Sequence, residues 1–234
     1  MSDDARRSRL LQLAAGAAFL AVAVVLVLIV ITASGSGDGG DTQIEGKVAM
    51  ARLLKGIPQQ EMLLGDPDAP VELIEFGDLQ CPVCAAYSEE VLPAIMETEV
   101  RKGEVKIDFR NLTIIGPESV TAGAAALAAG AQGRGWSFVD LFYSNQGGEN
   151  SGYADDDAFL RAVARAAGVQ NLTKWDAERS ELNAKVEETS QEAENLGFTG
   201  TPSFAVKGPK TRGIRILGFP ESAEELEAAI EEAR

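Results

Sequence analysis

Two cysteines stand three positions apart in this 234-residue chain, as Cys81-Pro82-Val83-Cys84. Thiols at that spacing can bond to one another, and a thiolate formed there can exchange with a disulfide on another molecule. The rest of the inventory narrows the chemistry. The chain has no histidine, which excludes a Ser-His-Asp triad, a Cys-His pair and a His-ligated zinc site. With no third cysteine, a Cys/His zinc site within one chain is excluded too, and only a site shared by two chains stays open. A purely structural disulfide closing so small a loop would stabilise little on the loop-entropy argument. The chemistry calls for no metal and no cofactor.

The element that must position the pair is a strand followed by a helix. Residues 71–76, VELIEF, form a short apolar run that reads as a buried strand. Pro82 suits the first turn of a helix, where its missing N–H costs nothing. Cys81 then lies at the helix N-terminus, where free N–H groups and the positive end of the dipole favour a thiolate. Cys84, one turn on, is placed to attack a mixed disulfide on Cys81 and release the product. Apolar Val91, Leu92, Ile95 and Met96 extend the predicted helix to about residue 101.

A second strand is predicted over 105–112, followed by helical stretches over 119–132, 138–144, 155–167 and 173–196. Asp155 to Asp157 read as an N-terminal cap region and Gly168 as a helix stop. Strands over 203–207 and 212–217, joined by a turn at Gly208-Pro209, precede a helix opened by the capping-box pair Ser222 and Glu225. The order is β-α-β, a helical block, then β-β-α. Gly200-Thr201-Pro202-Ser203-Phe204 lies just before the third strand. A Thr-Pro there can be a cis turn or an ordinary trans proline opening a strand.

Residues 10–32 contain no charged residue. At about 1.5 Å per residue they reach across a hydrocarbon core of roughly 30 Å. Arg6, Arg7 and Arg9 precede this run, and the next basic residue is Lys47. The positive-inside rule then predicts a cytoplasmic segment 1–9, a transmembrane helix 10–32, and everything beyond it outside the cytoplasm. A cleaved signal peptide would export the remainder equally, though signal cores usually run only about 7–15 residues. Residues 33–55 read as a linker that includes a short helix from about 43, and 56–234 as the folded domain. The net charge of −15 argues against nucleic acid as a partner.

The run EFGDLQCPVC, the helical block, GTPSF, and the closing hairpin and helix together resemble the DsbA-like thiol-disulfide oxidoreductases. The likeness is to the membrane-anchored extracytoplasmic kind and covers about residues 57–234. It implies an α/β thioredoxin-like fold with a helical insertion at about 117–196, preceded by one transmembrane helix. The resemblance makes Cys81 the exposed nucleophile, Cys84 the buried resolving thiol and Pro202 a cis-proline beside the site. It gives Thr201 the role of holding a substrate's extended chain, and Glu75 that of a buried carboxyl relaying protons to and from Cys84. It implies exported cysteine-containing proteins as substrates, and a membrane oxidase of the DsbB or vitamin-K-epoxide-reductase type as redox partner. Strong oxidants of this family carry Pro-His between the cysteines. Val83 in place of that histidine predicts a milder oxidant. A reductase or isomerase using the same site, and a non-enzymatic peptide-binding or chaperone-like module, are the alternatives.

Two Asn-Leu-Thr triplets, at Asn111 and Asn171, match a glycosylation pattern that carries little weight in a bacterial-looking chain. Trp136, Phe138, Phe142 and Tyr143 are read as packing residues or as part of a substrate groove.

Overall fold

The structure is a computed structural model that describes residues 42–234. Helix α1 (Lys47–Leu53) leads into two short strands, β1 (Gln59–Gln60) and β2 (Leu63–Leu64), then β3 (Val71–Gly77). Next come α2 (Pro82–Glu90), α3 (Leu92–Ile95), a π-helical turn (Met96–Val100) and β4 (Val105–Asn111). Five helices follow: α4 (Pro117–Gly130), α5 (Gly135–Ser144), α6 (Asp157–Ala166), α7 (Leu172–Arg179) and α8 (Asn183–Asn195). The chain closes with β5 (Ser203–Lys207), β6 (Arg215–Gly218) and α9 (Ala223–Ala233).

The six strands form one sheet in the order β1-β2-β4-β3-β5-β6. β3 and β4 are parallel and every other pair is antiparallel. β3 is central and buried along almost its whole length, as its near-continuous apolar run requires. Alternation along it sends Val71 and Leu73 into the larger core and Ile74 and Phe76 into a smaller one with Phe198 and Ala205. Glu75, in step with Val71 and Leu73, therefore points toward the larger core. This is the mixed α/β plan predicted, with five helices inserted between β4 and β5.

Some boundaries differ from expectation for identifiable reasons. The helix predicted from Pro82 to about residue 101 breaks at Val91. Pro93 has no N–H to give the carbonyl four residues back, and the next stretch winds as a π-turn closed by Arg101 N–H to Met96 O at 2.9 Å. The helix predicted over 173–196 is two. Ser180 Oγ donates to Ala177 O at 2.8 Å, where the helix gives way to a turn. The packed unit also starts before residue 56: Ile44, Met50 and Leu54 are buried in the core. β1 and β2, two residues each, are too short to leave a periodic signal. Strand β6 begins at Arg215 rather than at 212, because the chain turns at 209–210 and bends through 211–213.

Trp136, Phe138, Phe142 and Tyr143 are all buried, and Trp136 Nε1–H donates to Met62 O at 2.7 Å, so these rings are core. Asn111 is buried at the end of β4, and Asn171 caps α7 by accepting from Lys174 N–H at 2.9 Å. Among the described residues no helix is long and apolar enough to cross a membrane. The predicted transmembrane helix 10–32 and the segment 1–9 lie outside the described residues.

Candidate active site

The cysteine pair is built from the end of β3. After Gly77 the chain turns through Asp78-Leu79-Gln80 and enters α2 at Pro82, which occupies the first helical position. Cys81 is the N-cap, with extended torsions of φ −75° and ψ 117°. Those torsions bring its sulfur back over the helix end, where Cys84 N–H donates to Cys81 Sγ at 3.3 Å. Cap geometry that a serine or aspartate usually supplies is here used to hold a thiolate.

The Thr201–Pro202 peptide is cis, as the resemblance implied. It places Thr201 O 3.4 Å from Cys81 Sγ, which donates to it in the thiol form. Pro202 is buried and Thr201 half-buried. Two segments 120 residues apart in sequence thus meet at one sulfur.

The two thiols are unbridged and differ sharply. The Cys81 thiol is pulled down from 9.0 to about 6. A hydrogen bond from the Cys84 side chain leads, helped by the Thr201 side chain and by the N–H groups of Cys84 and Val83, and burial opposes them. At neutral pH about nine-tenths of it is thiolate. Cys84 is fully buried, and its thiol is pushed well above 9.0, first by desolvation and then by Cys81. Cys81, which the resemblance made exposed, is itself buried at 6% accessibility, so both sulfurs are covered and only Cys81 is poised to ionise while Cys84 beneath it stays protonated.

Glu75 is buried on β3 with its Oε1 unpaired. Desolvation, then the charge of Cys81, raises its carboxyl from 4.5 to about 8. The group is therefore largely protonated at neutral pH. Its pKa is higher folded than unfolded, so stability is fully present below about pH 4.5 and is lost as pH rises to about 8. The full span is on the order of 5 kcal/mol. Glu75→Leu is expected to remove that slope, so that the variant melts higher than the parent at pH 8 and nearly alike at pH 4. Thermal melts across that range check it.

Sequence reasoning missed the polar frame around the pair. Asp78 and Gln80 are both buried. Asp78 Oδ2 accepts from Ile114 and Ile115 N–H at 2.9 and 3.0 Å, and Oδ1 accepts from Gln80 N–H at 2.9 Å. Gln80 Nε2 donates to Ser119 Oγ at 2.9 Å, and Gln80 Oε1 accepts from Asn150 N–H at 2.8 Å. Gln146 Nε2 donates to the carbonyls of Leu79 and Cys81. The one available signal was the polar pair Asp78 and Gln80 between a buried strand and a helix. Gln146, in a Gly/Asn-rich turn, gave none. Gly77 makes room for the frame: a Cβ there would meet Phe109 Cε2 at 2.7 Å and the Tyr143 hydroxyl at 3.1 Å.

Pro82 and Val83 between the cysteines are exposed, and Val83, Ile114 and Phe219 are among the large apolar residues left facing solvent. A groove of about 940 Å³ lies elsewhere, lined by Leu63, Asp108, Arg110, Leu182 and Glu192, and includes neither cysteine. Among the described residues no group of three or more Cys, Asp or Glu is arranged to hold a metal ion.

This geometry agrees with comparison to known proteins. The thioredoxin family model matches residues 58–232. The chain belongs to the thioredoxin family. Within it, the chain is similar to a probable disulfide bond formation protein D of Bacillus cereus, 33% identical over 149 residues, covering 62% of this chain and 69% of the relative. Among solved structures it resembles oxidised BdbD of Bacillus subtilis, with a TM-score of 0.63 at 22% identity over 76% of this chain and 96% of that one. It also resembles reduced DsbA of Mycobacterium tuberculosis, with a TM-score of 0.58 at 21% identity over 76% and 90% of the two chains. At those identities the solved structures speak for the fold. With the relative and the family match, this thioredoxin-family chain is a DsbA-like thiol-disulfide oxidoreductase.

Proposed function

We propose that this oxidoreductase works outside the cytoplasm as a donor of disulfides to exported cysteine-containing proteins, through the Cys81–Cys84 pair. The observation that carries the reading is the opposite displacement of the two thiols, Cys81 down to about 6 and Cys84 well above 9.0. A stabilised thiolate favours the reduced form of the pair, and a pair more stable when reduced is an oxidant.

In the oxidising direction a substrate thiolate attacks Cys81 Sγ of the Cys81–Cys84 disulfide. The intramolecular S–S bond breaks, and Cys84 leaves as a thiolate that takes a proton from Glu75. A second substrate thiolate then attacks the substrate sulfur of the mixed disulfide, and Cys81 departs as its stabilised thiolate. The substrate is oxidised by two electrons and the pair is reduced by two. Glu75 suits the proton relay because its carboxyl titrates near 8 beside the buried thiol. Thr201 and the cis Pro202 are suited to hold an extended substrate against Cys81, and exposed Val83, Ile114 and Phe219 offer apolar contact.

The domain plan follows the sequence reading: residues 1–9 cytoplasmic, 10–32 a single membrane span, and a linker to the catalytic domain outside. A membrane oxidase of the DsbB or vitamin-K-epoxide-reductase type would return the pair to its disulfide. Relatives named for disulfide bond formation support the direction. The oxidised chain, mixed with a reduced unfolded model substrate, is expected to transfer its disulfide stoichiometrically and to reduce insulin poorly. Rapid insulin reduction with no substrate oxidation would assign it to the reductases.

A further inference from the structure

Gln146 lies two residues beyond α5, in the turn Asn145-Gln146-Gly147-Gly148. Its amide uses both protons: Nε2 donates to Leu79 O at 2.7 Å and to Cys81 O at 3.1 Å. The turn that carries it is itself fixed. Gln146 N–H donates to Tyr143 O at 3.2 Å, Asn145 Nδ2 donates to Leu141 O at 2.8 Å, and Asn145 Oδ1 accepts from Glu45 N–H at 2.9 Å.

The carbonyl it reaches belongs to the N-cap residue. Cys81 N–H donates to Asp78 O at 3.0 Å, and Cys81 O already accepts from Ala85 N–H at 3.1 Å within the helix. Gln146 occupies the second lone pair of that oxygen. The torsion that swings this carbonyl is the ψ of 117° that also sets where the helix N–H groups lie relative to Cys81 Sγ. Holding the oxygen from outside the helix therefore holds the sulfur against Cys84 N–H.

We propose that Gln146, a residue of the helical insertion, is a positioning residue for the redox pair: its two hydrogen bonds lock the backbone of Cys81 so that the sulfur stays aimed at the free N–H groups of α2. The inference rests on Cys81 being the nucleophile and adds a reason for the helical insertion to touch the site. Its donors also turn the positive end of a side-chain dipole toward the helix terminus, where the thiolate sits. Asp78 and Gln80 fasten the same loop independently, to residues 114–115 and to Ser119 and Asn150. Removing Gln146 should therefore loosen the nucleophile without releasing the loop.

The test is the pH dependence of Cys81 alkylation by iodoacetamide in Gln146→Leu and Gln146→Glu, each with a thermal melt. Gln146→Leu is expected to move the midpoint of the profile upward by about half a unit, the size of one modest hydrogen bond. Gln146→Glu, similar in shape but with an anion facing two carbonyls, should move it further. An unmoved midpoint in folded Gln146→Leu overturns the proposal, as does a shift confined to Gln146→Glu, which would reflect charge alone. If Gln146→Leu does not fold, Gln146→Ala takes its place: an upward shift there supports the proposal and an unmoved midpoint overturns it. Failure of the underlying reading looks different: the parent and Cys81→Ser would then alkylate alike.

Discussion

Cys81→Ser is expected to abolish disulfide transfer in both directions while leaving the fold intact. The remaining thiol cannot take over. Cys84 is fully buried, and desolvation pushes its thiol well above 9.0, so it stays protonated and unreactive at neutral pH. Access removes the rest, because an incoming sulfur must approach along the axis of the bond it breaks. Serine retains an oxygen at the N-cap that can accept from Cys84 N–H in place of the sulfur, so helix α2 keeps its start. The check is oxidation of a reduced model substrate, with a thermal melt beside it. Parent-like activity in Cys81→Ser would refute the assigned nucleophile.

Cys84→Ser should behave in the opposite way, reactive but arrested. Cys81 keeps its backbone donors at Cys84 and Val83, and a serine hydroxyl can donate to it in place of the Cys84 thiol that leads the lowering of its pKa. It therefore still attacks a disulfide and forms a mixed disulfide. In the proposed mechanism, Cys84 Sγ of the parent displaces the bound partner from that adduct. A serine hydroxyl, far less acidic than a thiol, cannot. Incubation with a disulfide-containing protein should accumulate a covalent adduct visible on a non-reducing gel, whereas the parent shows little. Absence of adduct at every pH would mean that Cys81 does not attack.

The parts of the site that were legible in the sequence are those written in local pattern. The buried strand, the Pro82 helix start and the CxxC register all lie within one short run. They suffice to put Cys81 on a helix N-terminus, whereas the burial of Glu75 on β3 was accessible only through the family resemblance. The meeting of Thr201 with Cys81 is a long-range fact, and it was accessible only through the family resemblance. The apolar spacing of Leu92, Ile95 and Met96 continues the helical pattern across Pro93. The structure shows the proline interrupting the helix. Gln146 was invisible because a glutamine in a glycine-rich turn carries no signature of a partner 65 residues away. β1 owes its existence to pairing with β2, and β2 to pairing with β1 and β4, and pairing leaves no period in two residues.

The absence of histidine, which first served to exclude triads and zinc, ends as a statement about driving force. With Val83 between the cysteines, the thiolate is held by backbone N–H groups, the Cys84 thiol and the Thr201 side chain. The measurement that tests the central claim most directly is the reduction potential of the Cys81–Cys84 pair, equilibrated against glutathione. The expected value lies between about −120 mV, typical of the strongest oxidants of this kind, and about −270 mV, typical of a reducing thioredoxin. A value as low as about −270 mV would contradict the disulfide-donor reading, and one as high as about −120 mV would contradict the part assigned to Val83.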